Sequence, residues 1–87
     1  MEKAGIKLGL DQQTAHLLAI QTAFGASKMA LESNDSPEIL RHKVTSTGGT
    51  TEKAIGILQE GNLEGLIYKA LKGAKERSIE LSQLLGK

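Results

Sequence analysis

Apolar residues recur at spacings of three and four over most of the sequence, and no run alternates with a period of two. That is helical spacing; strand spacing is absent. A short segment, Glu2 to Lys7, reads as a first helix with Gly9 as its C-cap. Asp11 reads as the N-cap of a long helix, its carboxylate placed for the unpaired amides of the next turn. This helix runs to about Ser33 and is ended by Asn34 and Asp35. Ser36-Pro37-Glu38 then supplies a cap, a proline suited to the first helical position and an acid for the positive end of the dipole. The helix so begun is short, ending at about Val44. Thr45 to Thr51 is a loop by composition. Helices from Glu52 to Glu60, closed by Gly61 as a C′ glycine, and from Leu63 to Leu85 complete the chain.

The long helix is apolar on nearly every side. Ala15, Ala19, Ala23, Ala26 and Ala30 form a stripe of small residues, Leu18, Thr22, Gly25 and Met29 a neighbouring line, and Leu17, Ile20, Phe24 and Leu31 a third. A helix apolar all round has to be buried all round. Two arrangements do this: a compact four-helix bundle with this helix at its centre, or a second chain that shares the burial. The few other helices of one short chain favour the second, with Ala15, Ala19, Ala23, Ala26, Ala30 and Met29 at a dimer interface. Lys28 interrupts an apolar face, either snorkelling outward or reaching an acidic partner. The last helix has one clean seam, from Leu63 through Leu66, Ile67, Ala70, Leu71 and Ala74 to Leu84 and Leu85, with Lys72 and Glu76 paired outside it. Gly73 inside that helix calls for another helix backbone passing close by, whereas Gly65 lies in the first turn.

Composition narrows the choice. At 87 residues the chain is one domain, 1–87. A chain this short buries only roughly 60–65% of its unfolded surface, so a monomeric core would be thin. The absence of Cys excludes disulfides, thiol catalysis and Cys-based zinc sites. A net charge of +1 gives no electrostatic footprint for nucleic acid. The longest apolar tract, Leu17 to Leu31, is too short for a bilayer, and no targeting peptide is visible at the N-terminus. The expectation is a soluble, cytoplasmic protein. His16 and His42 have no partner at metal-ligand spacing, so no metal site is expected.

Ser46-Thr47-Gly48-Gly49-Thr50-Thr51, leading into a helix, is the one chemically suggestive stretch. Two glycines open backbone conformations closed to other residues, and their amides can converge with the first amides of the helix on one anion. Four hydroxyls add donors and acceptors. The plainer alternative is a flexible loop in which Thr50 or Thr51 only caps the helix. The stretch is not a nucleotide-binding P-loop, since it lacks the G-x-x-x-x-G-K-[ST] spacing.

Taken together, Gln21-Thr22-Ala23-Phe24-Gly25-Ala26-Ser27-Lys28-Met29 and Leu40-Arg41-His42-Lys43-Val44-Thr45-Ser46-Thr47-Gly48-Gly49-Thr50-Thr51 resemble the C-terminal domain of pyrroline-5-carboxylate reductase. Glu60-Gly61 and Arg77-Ser78 with Glu80-Leu81 extend the resemblance over essentially the whole chain. The resemblance implies an oxidoreductase of proline biosynthesis that reduces 1-pyrroline-5-carboxylate with NADPH or NADH. It implies an all-α bundle of about four to five helices, intertwined as a homodimer or a higher homo-oligomer. The cofactor would belong to an N-terminal Rossmann domain absent from this fragment, which alone would bind no cofactor and be inactive. By the same resemblance, Ser46 and the amides of Gly49 and Thr50 hold the substrate carboxylate, Gly48 and Gly49 shape the loop, and the Thr51 hydroxyl meets the ring nitrogen. The family has proline where this chain has Thr47, which implies a looser loop before substrate binds. The alternative function is a non-catalytic helical oligomerisation module whose Gly-Gly loop is only a turn.

Overall fold

The structure is a computed structural model that describes residues 1–86. Its described residues form five helices and no strand. Contacts group them into two units, Met1–Val44 and the residues from Thr45 onward.

The first unit opens with α1 (Glu2–Lys7). Its C-cap is Leu8, and Gly9 follows with φ +111°, so the glycine sits one position later than expected, at C′. The Leu10 amide donates to the Gly5 carbonyl and the Gly9 amide to the Ile6 carbonyl, the bond pair of a Schellman ending. This reversal lays α1 on α2 (Gln12–Glu32). Gly5 lies against α2: a Cβ there would be 3.3 Å from Leu10 Cδ1 and 3.4 Å from Ala15 Cβ. Ala15, 2% exposed, is the one fully buried residue among those described. It is therefore already covered inside the chain, by α1. The physical reason is Gly5, whose missing side chain lets the α1 backbone close over it.

Asp11 caps α2 as expected, Oδ1 accepting from the Thr14 amide at 2.8 Å and Oδ2 from the Thr14 hydroxyl at 2.9 Å. Beyond Ala15 the helix is largely bare. Leu17, Leu18, Ile20 and Met29 are exposed, Phe24 is 61% exposed and Leu31 88%. Lys28 is also exposed and lies 3.9 Å from Glu32 one turn on, so it pairs within its own helix. Ser36 caps α3 (Pro37–Lys43) through the Ile39 amide, and Lys43 in its last turn pairs with Asp35.

The second unit is α4 (Thr50–Glu60) and α5 (Leu63–Leu85). Helix α4 starts two residues before the expected Glu52, because Gly49, in extended backbone, is the N-cap. Gly61 is not a left-handed C′ glycine. Its φ is −80°, and the left-handed residue is Asn62, at φ 57° and ψ 49°. Asparagine is one of the few non-glycine residues that tolerate this conformation, because its short polar side chain bonds locally. Here Asn62 Oδ1 accepts from the Gly65 amide at 3.3 Å, so one residue ends α4 and caps α5. Gly65 follows from that cap, since a Cβ on it would fall 2.2 Å from Asn62 Nδ2. Gly73 has nothing within 4 Å, so the close helix it calls for is not supplied by α4. On the outer side of α5 the ion pair is Arg77–Glu80 at 2.9 Å rather than Lys72–Glu76. Leu66, Ile67, Leu71 and Leu84 are each more than half exposed. No helix among the described residues is long and apolar enough to cross a membrane.

Candidate functional site

The hydroxyl- and glycine-rich stretch forms a defined turn. The Gly49 amide donates to the Ser46 carbonyl at 3.0 Å, closing Ser46–Gly49. Gly48, third in the turn, has φ +75°. Thr47, second in the turn, is not left-handed, because Asn62 is the one non-glycine residue with positive φ among those described. A negative φ followed by a positive one marks a type II turn, which favours glycine third and proline second. Thr47 thus stands where a proline would set the backbone in advance. Gly49 has its own reason to be glycine: a Cβ would lie 2.5 Å from Ser46 Oγ.

The turn feeds directly into α4. The first amide to find a carbonyl partner in the helix is that of Lys53, which donates to Gly49 at 3.2 Å. The Thr50, Thr51 and Glu52 amides are the first three of the helix, with no intrahelical partner and with the positive end of the dipole behind them. Ser46 and Thr50 are exposed, and Gly49 and Thr51 half-buried. The structure therefore brings Ser46, Gly48, Gly49, Thr50 and Thr51 to one end of α4. One expected donor is already engaged: the Gly49 amide serves the Ser46 carbonyl.

Glu52 has a part in this turn that sequence reasoning missed. Its Oε1 accepts from the Gly48 amide at 2.8 Å. The sequence pattern marks it only as the first residue of the expected helix. The available signal was the spacing Gly49-x-x-Glu52, an N-cap followed by an acid at the third helical position, where a side chain can reach back over the helix start. Here it reaches one residue beyond the cap.

A concavity of about 300 Å³ runs along α4 from this turn, lined by Gly48, Gly49, Glu52, Lys53, Gly56, Ile57 and Glu60, without Thr50 or Thr51. Another, of about 590 Å³, lies in the first unit and is lined by Glu2, Asp11, Gln12, Gln13 and His16. In it His16 Nδ1 lies 3.0 Å from Glu2 Oε1, across α1 and α2. The Asp11 carboxyl is held below the usual aspartate range, chiefly by the Thr14 amide and then by the Thr14 hydroxyl, both of which bond its ionised form. No group of three or more His, Asp or Glu able to hold a metal occurs among the described residues. Of the expected interface residues besides Ala15, Ala19 is half-buried, and Ala23, Ala26, Met29 and Ala30 are exposed.

Residues 1–81 match the family model described as pyrroline-5-carboxylate reductase dimerisation. The pyrroline-5-carboxylate reductase of Pseudomonas aeruginosa is 50% identical over 86 residues, 99% of this chain and 32% of that protein. Pyrroline-5-carboxylate reductase 2 of Bacillus subtilis is 43% identical over 83 residues, 95% of this chain and 30% of the relative. The solved structure of a pyrroline-5-carboxylate reductase from Coxiella burnetii superposes with a TM-score of 0.87 at 51% identity, covering 92% of this chain and 30% of that one. The chain thus spans about a third of the length of the curated relatives it matches.

Proposed function

Because the chain belongs to the pyrroline-5-carboxylate reductase dimerisation family, we propose that it is the dimer-forming and substrate-holding part of an enzyme that reduces 1-pyrroline-5-carboxylate to L-proline. The reaction adds a hydride to the imine carbon of a five-membered ring and a proton to its nitrogen. The ring carries a carboxylate, and this chain's share of the work is to fix both ends of that small acid.

The carboxylate lies at the start of α4. It accepts from the Ser46 hydroxyl and from the Thr50 and Gly49 amides, the last shared with the Ser46 carbonyl. The Thr51 hydroxyl meets the ring nitrogen. Gly48 and Gly49 let the backbone come close to the ligand. The observation that carries this reading is the turn itself, whose Gly48 amide already bonds a carboxylate oxygen at 2.8 Å.

The hydride donor, NADPH or NADH, does not fit the residues described here. They include no strand, and the sequence has no G-x-G-x-x-G. The Gly48 amide is engaged by Glu52, and the concavity beside it carries two carboxylates, Glu52 and Glu60, against the one cation of Lys53, a lining that disfavours a pyrophosphate. No part of the cofactor's binding is therefore assigned to this chain.

A second copy covers the apolar residues left bare on α2 and α5. The contrary reading, an oligomerisation module without a ligand, is separated by titrating the isotope-labelled chain with L-proline. Amide shifts confined to Ser46–Thr51 are expected. No shift at millimolar ligand would favour the module.

A further inference from the structure

Glu52 is the feature of this turn that the proposed substrate contacts do not use. Its carboxylate reaches back from the first turn of α4 to Gly48, the one residue of the turn held at positive φ. In a type II turn the second residue sets the approach, and proline there removes the backbone freedom that must otherwise be lost on ordering. Thr47 provides no such constraint. The 2.8 Å bond from the Gly48 amide to Glu52 Oε1 does the equivalent work from the other side. It ties the middle of the turn to the first turn of α4, and with it the spacing between the Ser46 hydroxyl and the Thr50 and Thr51 groups. A charged acceptor makes this one of the stronger local hydrogen bonds, and the positive end of α4 favours the same charge.

We propose that Glu52 is a positioning residue, which braces the Ser46–Gly49 turn in the shape that receives the substrate carboxylate and so replaces a proline at position 47. The inference rests on the proposed role of the turn. The opposite role, in which the Glu52 carboxylate competes with the incoming acid, predicts the opposite sign for its removal.

The test is L-proline binding to the isotope-labelled chain, followed by amide shifts, with circular dichroism as a check on folding. Glu52→Ala should weaken binding by about three- to tenfold, the effect of one lost hydrogen bond. In the ligand-free protein it should move the Gly48 amide proton upfield. Glu52→Gln, whose side-chain oxygen can accept the same bond, should retain most of the affinity. The decisive variant is Thr47→Pro combined with Glu52→Ala: proline should restore the affinity that alanine loses, and a merely stabilising role elsewhere in α4 would not be rescued in this way. Unchanged or tighter binding by Glu52→Ala, or no rescue by Thr47→Pro, overturns the brace while leaving the site in place. Wild-type protein that binds no L-proline overturns the site, and the brace with it.

Discussion

Single side chains decide several local outcomes here. Asp11 holds the start of α2 through two bonds from Thr14, and both favour its ionised form. Its carboxyl therefore loses its proton more readily in the folded chain than in the unfolded one. The stability it contributes is fully present above the ordinary aspartate range and is lost as pH falls through the lowered folded value. Thermal melts of wild type and Asp11→Asn should accordingly differ at neutral pH and converge in strong acid. At the candidate site, Thr51→Val keeps shape and removes the hydroxyl. If that hydroxyl meets the ring nitrogen, kcat/KM of the complete enzyme should fall by about 1–3 kcal/mol in transition-state terms, read from steady-state kinetics. Most of this scale was legible beforehand: Asp11 and Ser36 cap their helices as their residue types dictate. The Glu52–Gly48 bond was legible only in part: the spacing Gly49-x-x-Glu52 offers an acid that can reach back, but its partner depends on a turn whose φ values no spacing rule supplies.

At the scale of elements, the α4–α5 junction turns on Asn62. The sequence pointed to Gly61 there, since glycine is the usual left-handed residue after a helix. The structure gives that conformation to Asn62 because its side chain also caps α5, so one residue meets two needs. Asn62→Ala should destabilise the chain by about 1–2 kcal/mol in chemical denaturation, through loss of the cap and strain at positive φ. Asn62→Gly should cost only a few tenths of that scale. Gly65→Ala, which raises helix propensity, should nevertheless destabilise, because its Cβ would displace the Asn62 cap.

At the scale of the molecule, one fully buried residue among those described is far too little apolar burial to offset the conformational entropy of folding. Bare Leu, Ile and Phe side chains on α2 and bare Leu and Ile on α5 demand a partner surface. Light scattering across dilution should therefore return the mass of a dimer or a higher assembly, and the melting temperature should rise with protein concentration. A stable, folded monomer at micromolar concentration would refute this. Ala19→Leu should weaken the assembly by about 1–3 kcal/mol through overpacking, measured as a shift in the concentration dependence of melting. Gly73→Ala is a sharper probe. Within its own unit its Cβ meets open space, so propensity alone predicts a gain; a partner helix passing close by makes it a loss of association instead.

By itself the sequence determined the helices, the Asp11 and Ser36 caps and the excess of apolar surface, because these follow from residue type and from spacing within a few positions along the chain. It also determined that the hydroxyls and glycines of 46–51 stand together at the head of a helix. Only the tertiary structure decided that Ala15 is consumed under α1 and that Gly73 faces no neighbour within its own unit. It likewise decided that the Gly49 amide is taken by Ser46 and that Glu52 holds Gly48. Each of these depends on which backbone passes within van der Waals or hydrogen-bond reach of another. That is a three-dimensional distance, and a one-dimensional pattern of residue types does not contain it.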